Sequence, residues 1–409
     1  MSTPQHSAAQ PSEGQRLADH FFERGHFGDA GPTTVPHTMA RTRPRQGSPE
    51  TDAFLRAVIK TGASDLHVRA GFSPRVRIDG ILRRVEREAL PIAEFEARVL
   101  GLLDDSERQT LLKQGSVDIA YDLDADCRFR INIFRQDSGL SVAARLVPRT
   151  IPSFDQLRLP PVLRHVADAP RGLILVAGVT GSGKSTTMAA MLDHINETRA
   201  EHILTIEDPI EFLFTEKKCL INQREVHINV PDFPTALRAM VREDPDVVLI
   251  GEMRDAETFR AALQAAETGH LVFGTVHAAR AAQAIGRILG LFPEEEQATV
   301  RQSLAFNLQA IICQQLLKSK KPGIRRVPAC EILIATPIIR KLILEDRDPE
   351  ISDVIDAGDG GMIGSTESLY QLCKQGLVEE EAACEVASNP EALRMRLAGI
   401  QSSTRGIVG

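Results

Sequence analysis

Tryptophan is absent from this 409-residue chain and tyrosine occurs twice. A platform for stacking nucleic-acid bases would have to be assembled from scattered phenylalanines. An excess of positive charge is missing too. The 48 lysines and arginines against 55 acids give a formal net charge of −7, so the electrostatic footprint of a nucleic-acid translocase is not there, and no nucleic-acid partner is expected. The six cysteines stand at 127, 219, 313, 330, 373 and 384. No two have C-x-x-C spacing, which argues against a zinc knuckle or a thioredoxin-type site; they read as reduced thiols of a cytosolic protein, mostly buried. No apolar run approaches the roughly 18 residues that span a bilayer. The opening MSTPQHSAAQ lacks the charged and apolar parts of a signal peptide. The expectation is a cytoplasmic protein whose contact with a membrane, if any, is peripheral.

The length predicts two or three domains. Residues 1–51 are rich in Ser, Thr, Pro, Gly and His and bury too little to offset ordering entropy, so they read as a disordered extension. From residue 52 the pattern changes. Residues 52–60 read as an amphipathic helix capped by Thr51 or Asp52. Alternating runs at 66–68, 75–78, 128–134 and 140–144 read as half-buried antiparallel strands, with helices near 92–103 and 106–113 between them. Residues 52–148 therefore form a small α+β domain. The Pro-punctuated stretch 149–171 reads as a linker. Beyond it, continuous apolar runs at 173–177, 203–206, 247–250 and 271–275 alternate with helical patterns near 186–197, 235–242 and 258–267. Strands of that kind are buried on both faces of a parallel sheet, which makes residues 172–345 an α/β domain. After about residue 300 the chain reads mostly helical, and residues 346–409 are a C-terminal helical region broken by glycines at 358–364.

Gly178-Val179-Thr180-Gly181-Ser182-Gly183-Lys184-Ser185 matches G-x-x-x-x-G-K-[ST] in full, with an apolar strand before it and a helical pattern from Thr186 after it. Glycines let backbone N–H groups converge on phosphate oxygens, and the helix N-terminus faces the anion. Lys184 would reach the terminal phosphates of a nucleoside triphosphate and Ser185 would hold Mg²⁺. Two further strands run into acids: residues 203–206 into Glu207-Asp208-Pro209-Ile210-Glu211, and residues 247–250 into Gly251-Glu252-Met253-Arg254-Asp255. For one such acid alone a helix cap is the simpler reading. Two beside a complete phosphate loop favour hydrolysis, with Glu252 polarising the attacking water and Glu207 in the Mg²⁺ shell or supporting a water. Asp208, Glu211 and Asp255 are lesser candidates. His277 closes the fourth strand where a γ-phosphate sensor would lie, and His270 is at the other end, about 20 Å away.

In order, the phosphate loop, Ile-Glu-Asp-Pro-Ile-Glu, Asp-Pro-Asp-Val-Val-Leu-Ile-Gly-Glu-Met-Arg-Asp and Gly-His…Thr-Val-His resemble the secretion and type IV pilus ATPase superfamily over roughly residues 60 to 345. Within it the chain looks most like the PilT/PilU retraction ATPases. Ala63-Ser64-Asp65-Leu66-His67, Val76-Arg77-Ile78-Asp79-Gly80 and Cys219-Leu220-Ile221-Asn222-Gln223-Arg224-Glu225-Val226-His227 carry the likeness. The resemblance implies a PAS-like first domain, a RecA-like P-loop NTPase core, and a homo-hexameric ring that hydrolyses ATP. Such a ring would retract a pilus through an inner-membrane platform protein. It also implies arginines reaching the phosphates from the first domain, for which Arg130 and Arg145 fit and Arg128 fits less well; arginine's planar donors suit that charge. Residues 154–160 resemble the family's adenine-pocket segment. Two motifs depart. The last motif continues Val276-His277-Ala278-Ala279-Arg280, without the family's polar residues. The C-terminal retraction signature survives only as Arg340, Leu342, Ile343 and Glu345 within Ile338-Ile339-Arg340-Lys341-Leu342-Ile343-Leu344-Glu345. These departures keep open an ATP-binding accessory ring subunit, or a related type II/IV secretion ATPase.

Overall fold

A computed structural model describes residues 49–400 apart from Asp79, Ala125 and Asp126. The expected disorder of residues 1–48 falls outside that span. Residues 49–51, expected to share it, are helical. The helix α1, Pro49–Lys60, begins ahead of Thr51 and Asp52, so neither caps it. Asp52 instead accepts a hydrogen bond from the buried Tyr121 hydroxyl.

The first sheet is antiparallel and six-stranded: β1 Asp65–Arg69, β2 Arg75–Ile78, β3 Ile81–Arg84, β4 Ser116–Asp122, β5 Arg128–Gln136 and β6 Gly139–Val147. Their order is β3-β2-β1-β6-β5-β4. Along β5, Phe129, Ile131 and Ile133 point into the core and alternate with less buried neighbours, the period-two pattern of a sheet covered on one face. Helices α2, Ile92–Leu100, and α3, Asp105–Gln114, lie between β3 and β4. The start of α3 is fixed by a capping box in which Asp104 and Glu107 each accept the other's backbone N–H at 2.9 Å, satisfying two otherwise orphaned donors.

The stretch read as a linker holds two short helices, α4 Phe154–Leu157 and α5 Val162–Ala167, and buries Phe154 and Leu163. Its prolines punctuate helix starts rather than an open connection. The second sheet has seven strands: β7 Gly172–Ala177, β8 His202–Glu207, β9 Leu220–Glu225, β10 Val247–Ile250, β11 Leu271–Val276, β12 Leu308–Lys318 and β13 Arg326–Ile334. They run in the order β13-β12-β7-β11-β10-β8-β9, parallel except for β13. Around it lie α6 Lys184–Thr198, α7 Phe233–Met240, α8 Ala256–Glu267, α9 Ala281–Leu289, α10 Glu294–Asn307 and α11 Pro337–Leu344, followed by α12 Ile351–Ala357, α13 Ser365–Lys374, α14 Glu380–Val386 and α15 Pro390–Leu397. The strands feed two cores. Leu173, Leu175 and Ala177 pack on one side of the sheet, and Ile174 and Val176 on the other.

The helical expectation after residue 300 fails at β12 and β13. Leu308-Gln309-Ala310-Ile311-Ile312-Cys313 is a short apolar run whose period does not separate a buried helix from a buried strand. It becomes a strand because it pairs with β7.

Arg340, a surviving signature residue, has a structural task. Its guanidinium donates to the carbonyls of Ala305 (3.0 Å), Phe306 (2.5 Å), Leu308 (3.2 Å) and Ala335 (3.0 Å). It thus closes the C-terminal end of α10, where carbonyls lack helical partners and a cation is favoured. Substituting Arg340→Ala is expected to lower stability by about 2–4 kcal/mol. A thermal melt checks it, and an unchanged melting temperature contradicts this capping role.

Candidate active site

The phosphate loop joins β7 to α6. Gly178 has φ +147°, and a Cβ there would stand 2.4 Å from the Gln314 carbonyl oxygen. Gly183, φ +90°, begins α6 and leaves no room for a side chain beside Gln314 Nε2 at 2.7 Å. The glycines are required by close backbone approach as well as by conformation. Lys184 Nζ donates to the carbonyls of Gly178 (2.9 Å) and Val179 (3.3 Å). Its pKa lies below the usual lysine value because it is partly buried, a cost the charge of Glu252 partly offsets.

A cleft of about 510 Å³ opens over this loop. It is lined by Thr180, Gly181, Gly183, Lys184, Ser185 and Thr186, by Glu207 at the end of β8 and Asp208 and Glu211 after it, by Glu252 and Arg254 after β10, by His277 after β11, and by Arg145 from the first sheet. The sequence-derived candidates thus converge at the carboxyl ends of parallel strands, where open α/β sheets bind ligands.

The two central carboxylates differ sharply. Glu252 is held on both oxygens: Arg254 lies 2.5 Å from Oε2, and His277 Nε2 shares a hydrogen bond of 2.8 Å with Oε1. The hydrogen bond from Arg254, followed by that from His277, keeps its carboxyl below the usual range against the opposing effect of burial. Glu207 is 6% exposed. Burial raises its carboxyl to about 7, although it accepts hydrogen bonds from the Thr205 hydroxyl (2.7 Å), the Glu211 N–H (3.3 Å) and Gln223 Nε2 (3.4 Å). Two carboxylates with pKa values pushed apart are the usual arrangement for acid and base roles in one site.

Other candidates fall elsewhere. Asp255 caps α8, accepting the Thr258 N–H at 2.8 Å. His270 sits at the far end of β11 on the Ala265 carbonyl (2.9 Å). Arg128 pairs with Asp122 at 2.5 Å. Arg130 does not line the cleft; it lies 3.6 Å from Asp118, and its charge reaches Glu225. Residues 156–159 line a second cleft of about 380 Å³, which shares Gly183, Thr186, Leu316 and Arg326 with the first.

Three residues escaped the sequence reading. Gln223 anchors the loop around Glu207 through Phe212 and Phe214. Buried Gln314 donates to the Ser182 carbonyl and accepts from the Thr187 hydroxyl, both at 2.7 Å, and so braces the phosphate loop. Arg254 stood two positions from Glu252 without an assigned role. Gln314 left no signal, since its strand was taken for a helix.

No cluster of three or more His, Cys, Asp or Glu suited to a metal occurs among the described residues. One hydroxyl, one carboxylate and the phosphates themselves suit a cation that keeps much of its water, as Mg²⁺ does.

Glu207 makes a pH prediction. Its folded-state pKa, about 7, stands above the ordinary glutamate value of 4.5. Its contribution is therefore fully present below about pH 4.5 and is lost as pH rises through about 7. Wild type should lose stability relative to Glu207→Gln across that window, by roughly 3 kcal/mol at most. Thermal melts of both proteins between pH 4.5 and 8 read this, and a pH-independent difference contradicts it.

Residues 48–355 match the family described as type II/IV secretion system protein. The chain is 47% identical over 333 residues to the type IV pilus retraction ATPase PilT of Pseudomonas aeruginosa, covering 81% of this chain and 96% of that protein. It is 44% identical to a twitching motility protein of Neisseria gonorrhoeae, covering 82% and 89%. The solved structure of the pilus retraction motor PilT with bound ADP superposes with a TM-score of 0.78 at 43% identity, covering 84% of this chain and 98% of that one. A complete phosphate loop, two strand-end carboxylates and these likenesses lead to one conclusion: the chain belongs to the type II/IV secretion system protein family and is one of its ATPases.

Proposed function

We propose that this ATPase is a motor for type IV pilus retraction, working as a homo-hexameric ring at the cytoplasmic face of the inner membrane against a platform protein. Relatives named as a type IV pilus retraction ATPase and as a twitching motility protein match it along nearly their whole length. Among the described residues no helix is long and apolar enough to cross a membrane, which fits peripheral attachment.

The observation that carries the catalytic reading is the contrast between Glu252 and Glu207 beside one phosphate loop. Backbone N–H groups of residues 178–185 bind the phosphates, and Lys184 exchanges its carbonyl partners for phosphate oxygens. Glu252, ionised, orients and polarises the attacking water. His277 and Arg254 fix its direction. Ser185 and Glu207 would hold Mg²⁺, directly or through water, and an ion bound there would supply positive charge against that gathering on the phosphates. Arg145 meets the terminal phosphate from the first sheet. The adenine ring occupies the second cleft beside residues 156–159.

The departures in the two motifs leave this machinery intact. Arg280 turns away from the cleft to pair with Glu331 at 2.6 Å. Arg340 caps a helix.

Glu252→Gln is expected to keep nucleotide binding and to lose about 100-fold or more in turnover. Steady-state hydrolysis alongside a binding titration reads both, and unchanged turnover removes Glu252 from the mechanism. In the native host, deleting the gene should stop pilus-dependent surface movement while pili remain on the cell. Cells without pili would point to an assembly or secretion role instead.

A further inference from the structure

Strand pairing places four charged residues in one row across the first sheet. Arg77 on β2 is opposite Asp65 on β1, Asp65 is opposite Arg145 on β6, and Arg145 is opposite Arg130 on β5. Directly opposite residues of an antiparallel sheet share a face and interact. Arg145 and Arg130 therefore repel each other side by side, and Asp65 is the one acid within the row.

Asp65 is 7% exposed. Its Oδ1 accepts from Arg145 Nε at 2.6 Å, while Oδ2 accepts from the Ser64 hydroxyl at 2.8 Å and lies 3.7 Å from Arg77 Nε. Arg145 itself is 64% exposed and lines the nucleotide cleft. Its Nη1 and Nη2 make no hydrogen bond to another described residue. A guanidinium has five donors in a rigid plane, so one edge can be tethered while the other is offered to an oxyanion.

We propose that Asp65 is a positioning residue for hydrolysis: it holds the Nε edge of Arg145 so that the Nη edge faces the terminal phosphate. This rests on the reading, given above, that Arg145 meets the phosphates. A buried carboxylate with a second donor from Ser64 cannot swing, so the arginine starts each cycle already aimed. Orientation of this kind is worth large factors in rate, because a misplacement of about 1 Å can cost on the order of 100-fold. Asp65 also offsets the repulsion between Arg145 and Arg130, which would otherwise splay the two guanidinium groups apart.

The test uses the full chain, with kcat and KM for ATP measured separately for Asp65→Asn, Arg145→Ala and the double variant, alongside thermal melts. Asp65→Asn should lower kcat about tenfold or more with KM within about twofold of wild type, and the double variant should be no slower than Arg145→Ala. If Arg145→Ala is slow while Asp65→Asn turns over like wild type, the positioning role is overturned and the reading of Arg145 stands. Losses that multiply in the double variant also overturn it. If Arg145→Ala turns over like wild type, the reading of Arg145 falls first and the proposal with it. Should Asp65→Asn not fold, Arg145→Lys carries the test. A lysine held by Asp65 has no second edge for phosphate, so its kcat should drop with KM unchanged; wild-type kcat would overturn the proposal.

Discussion

Strands β7, β8, β10 and β11 are buried along almost their whole length on both faces, and a charge inside such a sheet would be costly to desolvate. Polar chemistry can enter only where these strands end. The phosphate loop, Glu207, Glu252 and His277 each follow or close one strand, and adjacent parallel strands bring their ends to one side. Convergence of residues almost one hundred positions apart is thus a consequence of burial.

Burial also divides labour among the groups it collects. Glu207 closes β8 under cover, and its carboxyl rises to about 7. Glu252 stands two residues beyond β10, open enough to meet Arg254 and His277, and stays low. The same residue type acquires two behaviours, one set by burial and the other by an arginine and a histidine partner. On the first sheet Asp65 is buried too, yet its carboxyl is held low, because the contacts from Arg145 and Ser64 outweigh the burial that would raise it.

Much of this was legible in the sequence. Continuous apolar runs marked the parallel strands, and a strand followed by glycines, Lys184 and Ser185 marked the loop. What stayed hidden depended on contacts between distant segments. Whether residues 308–313 coil or extend is decided by the availability of β7 as a partner. Gln314 and Gln223 are ordinary glutamines until folding sets them against Ser182 and Phe212. Arg340 carries a motif's letter, but its neighbours show a helix cap. Residues 154–167 looked like a connection because proline can open a helix as well as break one.

The brace at Gln314 ties the catalytic loop to a distant part of the chain. One end grips Ser182 and Thr187. The strand that carries it pairs with β13, where the Cys330 N–H donates to the Ser368 hydroxyl of α13 at 2.9 Å. Loop, hairpin and terminal helices are therefore in mechanical series. The loop cannot relax its curvature without stretching bonds that lead to α13, so force applied at one end of this train is felt at the other.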